Sequence, residues 1–325
     1  MDWRKLVKLL NSQRDNIKSP NLFGLFCIYK NYLNYYNNYI FLKNNAIING
    51  VYKLNKYIER LENKSMKVLV TDFDGTLYVE KSNVVTINEN IAALELFKNE
   101  KDIYGRNNIV VVSTAREPKS IMKYINLFKI PCDYVISYMG ALIWDCAAEK
   151  YIYRNYFSSE DATQILAMIK PYSSEVELEI YSDVPNPTIN QHIGYIFHKE
   201  NNINNGVFER MEADFGRPLE KVLGSKELED SIYFSRFFSN EWYFINNTKN
   251  NKLIALDYLI DNVIFKDEEQ KNIYTIGDSM DDFGMLSKYN GCRMALAEKD
   301  LADRYSKKIE SVKAYIDKII QKTIN

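Results

Sequence analysis

Four short, nearly uninterrupted runs of β-branched and apolar residues constrain this chain more than anything else in it. They are Lys67-Val68-Leu69-Val70-Thr71, Asn108-Ile109-Val110-Val111-Val112-Ser113, Asp133-Tyr134-Val135-Ile136-Ser137 and Tyr274-Thr275-Ile276-Gly277-Asp278. A strand exposed on one face alternates apolar with polar residues, whereas a strand covered on both faces does not. Between the first two runs, Ile91, Leu94, Leu96 and Phe97 line the apolar side of a predicted helix over Ile87 to Asn99. Buried strands separated by helices read as a parallel sheet, which places its chemistry at the carboxyl ends of the strands.

The stretch from 147 to 244 breaks this pattern. Its strands are shorter and alternate (Val176, Leu178, Ile180, then Ile193, Tyr195, Phe197), with helical stretches near Asp161 to Ile169 and Val207 to Phe215. That order predicts an α+β module with a largely antiparallel sheet, inserted into the parallel domain. The expected organisation is therefore an N-terminal helical extension (1–65), a first core part (66–146), the insert (147–244) and a second core part (245–325). In the extension, Trp3, Leu6, Val7 and Leu10 fall at helical spacing, as do Ile47, Val51, Leu54, Ile58 and Leu61. The aromatic-rich stretch Asn21 to Leu42 is too polar for a membrane span and reads as a packed helix. Arg4, Lys5 and Lys8 beside an amphipathic stripe leave a protein-partner or membrane-surface role open for residues 1–65.

Composition narrows the function. A formal net charge of −1 gives no electrostatic case for nucleic acid as a bulk partner. No window carries about 18 uninterrupted apolar residues, so no membrane span is expected. The start of the chain lacks a signal-peptide pattern. The four cysteines (Cys27, Cys132, Cys146, Cys292) show no CxxC pair and read as packed free thiols in a reducing, cytoplasmic setting. The two histidines, His192 and His198, lie in the insert and read as packing or surface residues.

The first buried run ends in Asp72-Phe73-Asp74-Gly75-Thr76-Leu77. Residues i and i+2 of a strand share a face, so one carboxylate can attack while the next, where the strand opens, handles a proton. An Asp-Gly turn explains Asp74-Gly75 but not an acid closing a hydrophobic run. Thr114, in Ser113-Thr114-Ala115-Arg116, ends the second run and offers a hydroxyl and following backbone amides to a phosphate. Lys252 opens a predicted helix, Lys252 to Leu259, and brings fixed positive charge. Asp278 and Asp282, in Gly277-Asp278-Ser279-Met280-Asp281-Asp282, end the fourth run. So many carboxylates together are costly without a hard cation, and an oxygen-only donor set favours Mg2+ over zinc.

In these four motifs and their order, the chain over residues 66–325 resembles the haloacid dehalogenase (HAD) superfamily of hydrolases, subclass IIB, sugar-phosphatase-like, with a large α/β cap between the second and third motifs. The resemblance implies an α/β fold: a Rossmann-like parallel-sheet core with an inserted α+β cap. It implies that Asp72 is the nucleophile forming an aspartyl-phosphate and that Asp74 is the general acid and then base. Thr114, Ala115 and Lys252 would bind the phosphoryl oxygens. Asp72, the Asp74 backbone carbonyl and Asp278 would ligate Mg2+, with Asp282 supporting. The implied activity is hydrolysis of a small phosphomonoester; a phosphomutase, or a core whose extension is a partner module, are the alternatives. The chain departs from the family pattern at Met139 (usually asparagine), Ala115 and Leu253 (usually glycine) and Asp281 (usually asparagine).

Overall fold

A computed structural model of the protein describes residues 65–79, 87–102, 104–199, 210, 232–237, 242–247, 249–265 and 272–324. The helices expected over 1–65 and near 207–215 lie outside these, Arg210 apart. The chain divides into two compact units, Met1–Ser65 with Asp102–Arg106, and Met66–Lys101 with Asn107–Asn325. In the first, Asp102 closes a turn by accepting the Tyr104 and Arg106 amides at 2.8 Å. The remaining description concerns the second.

Its larger sheet has eight strands: β1 (Lys67–Asp72), β2 (Ile109–Ser113), β3 (Tyr134–Ser137), β4 (Leu142–Asp145), β5 (Lys150–Arg154), β10 (Asn272–Gly277), β11 (Asn290–Met294) and β12 (Lys308–Ile309). They run in the order β12-β11-β10-β1-β2-β3-β4-β5. All pairs from β12 to β3 are parallel, and β4 and β5 add an antiparallel edge. The chain proceeds from β1 to β2 on one side and returns through β10 on the other, so the strand order reverses beside β1. That is the point where open α/β sheets form a crevice at their carboxyl ends.

Why these segments are strands is visible in their burial. Every residue of β1 is buried, as are all of β2 but the first, because helices cover both faces. On one side α1 (Ile87–Asn99), α2 (Pro118–Phe128) and α7 (Val312–Ile324) pack Leu94, Phe97, Ile121 and Ile316 against Leu69, Val110 and Val112. On the other, α4 (Lys252–Leu259) and α5 (Phe283–Lys288) pack Ala255, Leu256, Leu259 and Met285 against Val68, Val70 and Val111. Thus α4 lies on the opposite face from α1, with its amino end directed at the crevice that Asp72 enters.

The insert forms its own sheet of β6 (Val176–Tyr181), β7 (Gly194–Lys199), β8 (Ile232–Phe237) and β9 (Trp242–Asn247), ordered β6-β7-β9-β8 and antiparallel throughout. Helix α3 (Ser159–Ile169) is capped by the Ser158 hydroxyl, which accepts the Asp161 amide, and packs Ala162, Ile165 and Ile169 on Val176, Tyr195 and Ile245. After the expected boundary at 147, β5 pairs with β4, so the larger sheet extends to Arg154. Lys150-Tyr151-Ile152-Tyr153-Arg154 is only half buried, so it carries the signature of an edge strand rather than of a core one. Among the described residues, no helix is long and apolar enough to cross a membrane.

Candidate active site

The carboxyl ends of β1, β2 and β10 bring the separate motifs together. Register fixes this: Asp72 pairs with Ser113, so Asp72 and Thr114 leave adjacent strands at nearly the same height. Asp278 follows Gly277 at the end of β10, on the other side of β1. Lys252, the first residue of α4, is placed by the Asn251 cap, whose side chain accepts the Ile254 amide at 2.8 Å.

The centre is an ion triad. Lys252 Nζ donates to Asp72 Oδ1 and to Asp282 Oδ1, each at 2.7 Å, and all three side chains are buried. The second Asp282 oxygen accepts the Asp278 and Ser279 amides at 2.9 and 3.1 Å. Asp282 is thereby fixed at both oxygens, and it fixes the turn that carries Asp278. Gly277 admits this arrangement, since a side chain there would come within 2.2 Å of the Asp282 carboxylate.

Asp72, Asp278 and Asp282 each have a carboxylate oxygen within 4.8 Å of the others'. Burial pushes the Asp72 carboxyl well above its usual range; Lys252 pulls it down, and Asp282 and Asp278 push it further up. Burial and the charge on Asp282 likewise push Asp278 up to about 6, against the hydrogen bond from Thr76 Oγ1 at 2.8 Å. Burial disfavours the Lys252 ammonium, but Asp282 and Asp72 outweigh it and hold its pKa above the usual range. One lysine charge faces three carboxyl groups, so ionising all of them leaves negative charge in excess.

That excess, and the donor set, fit a hard divalent cation. All three side-chain donors are oxygens, which is the chemistry of Mg2+ or Ca2+ rather than zinc. Space beside Asp278 Oδ2 exists because residue 75 is glycine: a Cβ there would lie 2.1 Å from that oxygen, and Gly75 has φ +75°. The Asp74 side chain is not in the acidic group. It points outward, about half exposed, and its two oxygens receive Arg116 Nε and one terminal guanidinium nitrogen at 2.6 Å each.

The phosphate-binding candidates sit on a braced turn. Thr114 Oγ1 is buried and accepts the Arg116 amide at 3.1 Å, leaving its own proton available to donate. Ala115 lies between them. The turn after β3 supports this loop: Tyr138 N donates to Arg116 O and Met139 N to Thr114 O. Tyr138, Met139 and Gly140 are all left-handed, with φ of 48°, 55° and 104°. Gly140 passes so close to α4 that a Cβ would meet Asn251 O at 2.3 Å. Hence one turn touches both the Thr114 loop and the residue preceding Lys252.

All the predicted site residues therefore meet in one crevice, with Asp74 at its mouth. Three contributors carried a place in their motifs but no contact in the sequence reading: Arg116, Thr76 and Gly75. Arg116 and Asp74 are 42 positions apart, and only their shared place at strand ends could have linked them. His192 is elsewhere, buried in the insert against the Tyr195 hydroxyl at 2.9 Å, as a packing residue.

Comparison with known proteins bears on the fold and the family. A search of curated proteins returns no match. Solved structures that share the fold include a HAD-superfamily phosphatase from Bacteroides thetaiotaomicron, at 15% identity over 81% of this chain and 97% of that one, with a TM-score of 0.58. A protein from Thermotoga maritima is 19% identical over 78% of this chain and 97% of its own, with a TM-score of 0.58. A HAD subclass IIB sugar phosphatase is 16% identical over 80% of this chain and 100% of its own, with a TM-score of 0.56. The family model of haloacid dehalogenase-like hydrolases matches residues 69–314, from within β1 into α7 and across every motif of the crevice. The chain belongs to the haloacid dehalogenase-like hydrolases.

Proposed function

We propose that the protein is a Mg2+-dependent phosphatase that hydrolyses a small phosphomonoester, a sugar phosphate or similar, through an aspartyl-phosphate on Asp72. The observation that carries this reading is the buried Lys252 bridging Asp72 and Asp282 at 2.7 Å, opposite Asp278 at the switch point of the sheet. A carboxyl group held in place by a fixed cation, at the end of a strand, is a nucleophile preorganised for in-line attack. The likeness to a sugar phosphatase supports the substrate class.

Asp72 attacks phosphorus through the oxygen not engaged by Lys252. Thr114 Oγ1, the Ala115 amide and Lys252 Nζ receive the equatorial oxygens, where transition-state charge accumulates. Asp74 protonates the leaving alkoxide and then takes a proton from the water that hydrolyses the aspartyl-phosphate. Arg116 holds the Asp74 carboxyl by both of its oxygens at the mouth of the crevice before the leaving group arrives. Asp72, the Asp74 carbonyl and Asp278 would hold Mg2+, with Asp282 orienting the turn. Bound there, the ion neutralises charge between the nucleophile and the phosphoryl group. The core comprises 66–146 and 245–325 together with β5, and the antiparallel insert acts as the lid that selects substrate. Free thiols fit a cytoplasmic location.

The test is release of inorganic phosphate from a panel of sugar, nucleotide and cofactor phosphates with Mg2+, for wild type and Asp72→Asn. Steady release by the wild type without a bisphosphate activator, abolished in the variant with its fold intact, is expected. Undiminished turnover by Asp72→Asn overturns the nucleophile assignment, and a requirement for a bisphosphate replaces the phosphatase with a phosphomutase.

A further inference from the structure

The β3–β4 hairpin has a second feature at the end remote from the crevice. Cys146 follows β4 directly, and its amide donates to Asp133 O at 2.9 Å, continuing the antiparallel ladder by one residue. Cys132 precedes that position on the facing segment. The two thiol sulfurs lie 3.7 Å apart. No other described cysteine faces either one; Cys292 is buried beside Lys307 O.

A cavity of about 390 Å3 opens on this pair, lined by Met122, Ile125, Trp144 and Glu149 as well as both cysteines. Cys132 is buried and Cys146 half-buried, so a reagent entering the cavity meets Cys146 first. We propose that Cys132 and Cys146 are a thiol–disulfide exchange site, at which Cys146 reacts with a small-molecule disulfide and Cys132 resolves the product. The sulfurs are in van der Waals contact, and one of the two opens on a cavity, which a purely structural thiol pair would not need.

The chemistry balances on these atoms. The Cys146 thiolate attacks one sulfur of the disulfide RSSR, forming a mixed disulfide and releasing one thiolate RS−. Cys132 then gives its proton to the released RS−, forming RSH, attacks Cys146 Sγ and releases the second RS−. The dithiol is oxidised by two electrons and the reagent is reduced by two. To bond, the sulfurs must approach by less than about 2 Å, to the length of a disulfide. The hydrogen bond between the thiols favours this order: it lowers the pKa of Cys146 and raises that of Cys132, burial adding to the latter. Burial, Asp133 and Asp145 act against the Cys146 thiolate and Lys98, paired with Asp133 at 2.9 Å, acts for it; the hydrogen bond from Cys132 outweighs the opposing effects. Exchange-active pairs of this kind are the form in which disulfides occur in reducing compartments.

The experiment treats the reduced full-length protein with 2-hydroxyethyl disulfide and follows intact mass and disulfide-linked peptides. Wild type is expected to lose two hydrogens per chain at this site, yielding a Cys132–Cys146 linked peptide that dithiothreitol reverses. Cys132→Ser should stop at the mixed disulfide on Cys146, and Cys146→Ser should leave Cys132 unreacted. Cys132→Ala gives the same readout if the serine hydroxyl destabilises the fold. Absence of the linked peptide from wild type, or reaction of Cys132 in Cys146→Ser as fast as Cys146 in Cys132→Ser, overturns the proposal.

Discussion

Replacing Lys252 by methionine isolates the energetics of the ion triad. The side chain keeps most of its length and all of its apolar contacts, while the ammonium that donates to Asp72 and Asp282 at 2.7 Å is lost. Both carboxylates stay buried without their cation, and breaking a buried pair in this way costs about 3–5 kcal/mol. For a folded unit of this size each kcal/mol lowers Tm by about 2–4 °C, so the melting temperature should fall by about 6–20 °C. The pH dependence has a definite sign. Burial already raises the folded-state pKa of Asp72, and removal of Lys252 takes away the term that lowers it. A carboxyl whose folded pKa exceeds its unfolded value destabilises the fold when ionised, and the loss is relieved as pH falls from that raised value towards about 3.9. The gap between wild type and Lys252→Met should therefore narrow on acidification. Saturating Mg2+ should narrow it too, because the ion replaces the missing charge. Urea denaturation from pH 4 to 8, with and without Mg2+, measures all of this; a loss below about 1 kcal/mol, or a gap that widens at low pH, refutes the triad as the source of the effect.

Three further perturbations probe the crevice. Mg2+ binding should weaken about tenfold between pH 7 and pH 5, because a proton competes at Asp278, whose carboxyl titrates near 6, and calorimetric titration reads this directly. Gly75→Ala places a methyl group 2.1 Å from Asp278 Oδ2 and strains a residue at φ +75°, so metal affinity should drop by about 10–100-fold in the same titration. Gly140→Ala meets Asn251 O at 2.3 Å, a backbone atom that cannot rotate away, so stability should fall by about 1–3 kcal/mol in urea denaturation and turnover should fall with it as Lys252 shifts.

How far the sequence exposes this molecule depends on how local the determining physics is. Helices α1 and α4 start and end where apolar spacing places them, at Ile87–Asn99 and Lys252–Leu259. Strands β1, β2 and β3 are read within a residue, because burial on both faces leaves a run of apolar residues that nothing else resembles. The meeting of Asp72, Thr114, Lys252 and Asp278 follows from those strands, since a parallel sheet carries its strand ends to one edge. The β4–β5 hairpin is less legible: its strands are short, and β5 is half-exposed and rich in tyrosine. Strands β8 and β9 are runs of mixed aromatic and polar residues that fit neither an uninterrupted apolar run nor a strict alternation. Pairings across the crevice, such as Arg116 with Asp74 and Thr76 with Asp278, depend on side-chain direction at the ends of different strands, which no spacing records. Asp282 reads as a metal-supporting acid, whereas its contacts also make it the brace of the Asp278 turn and one arm of the lysine bridge.

Met139 shows how packing can override backbone preference at such a site. It is left-handed (φ 55°, ψ 26°), a conformation that costs an ordinary L-residue about 1–2 kcal/mol and that asparagine adopts more easily. The resemblance to the family places asparagine here, which on backbone grounds alone is the better residue. Yet the Met139 side chain is 3% exposed, and burying it contributes about 1.5–3 kcal/mol. An amide in the same pocket without a partner adds a penalty of about 1–3 kcal/mol. Set against the relief of strain, Met139→Asn should destabilise the protein by about 2–3 kcal/mol, whereas Met139→Leu, which keeps the burial, should change stability by less than about 1.5 kcal/mol. Urea denaturation of both variants separates the terms. A neutral or stabilising Met139→Asn would mean that backbone strain, not burial, dominates the turn that ties the Thr114 loop to Lys252.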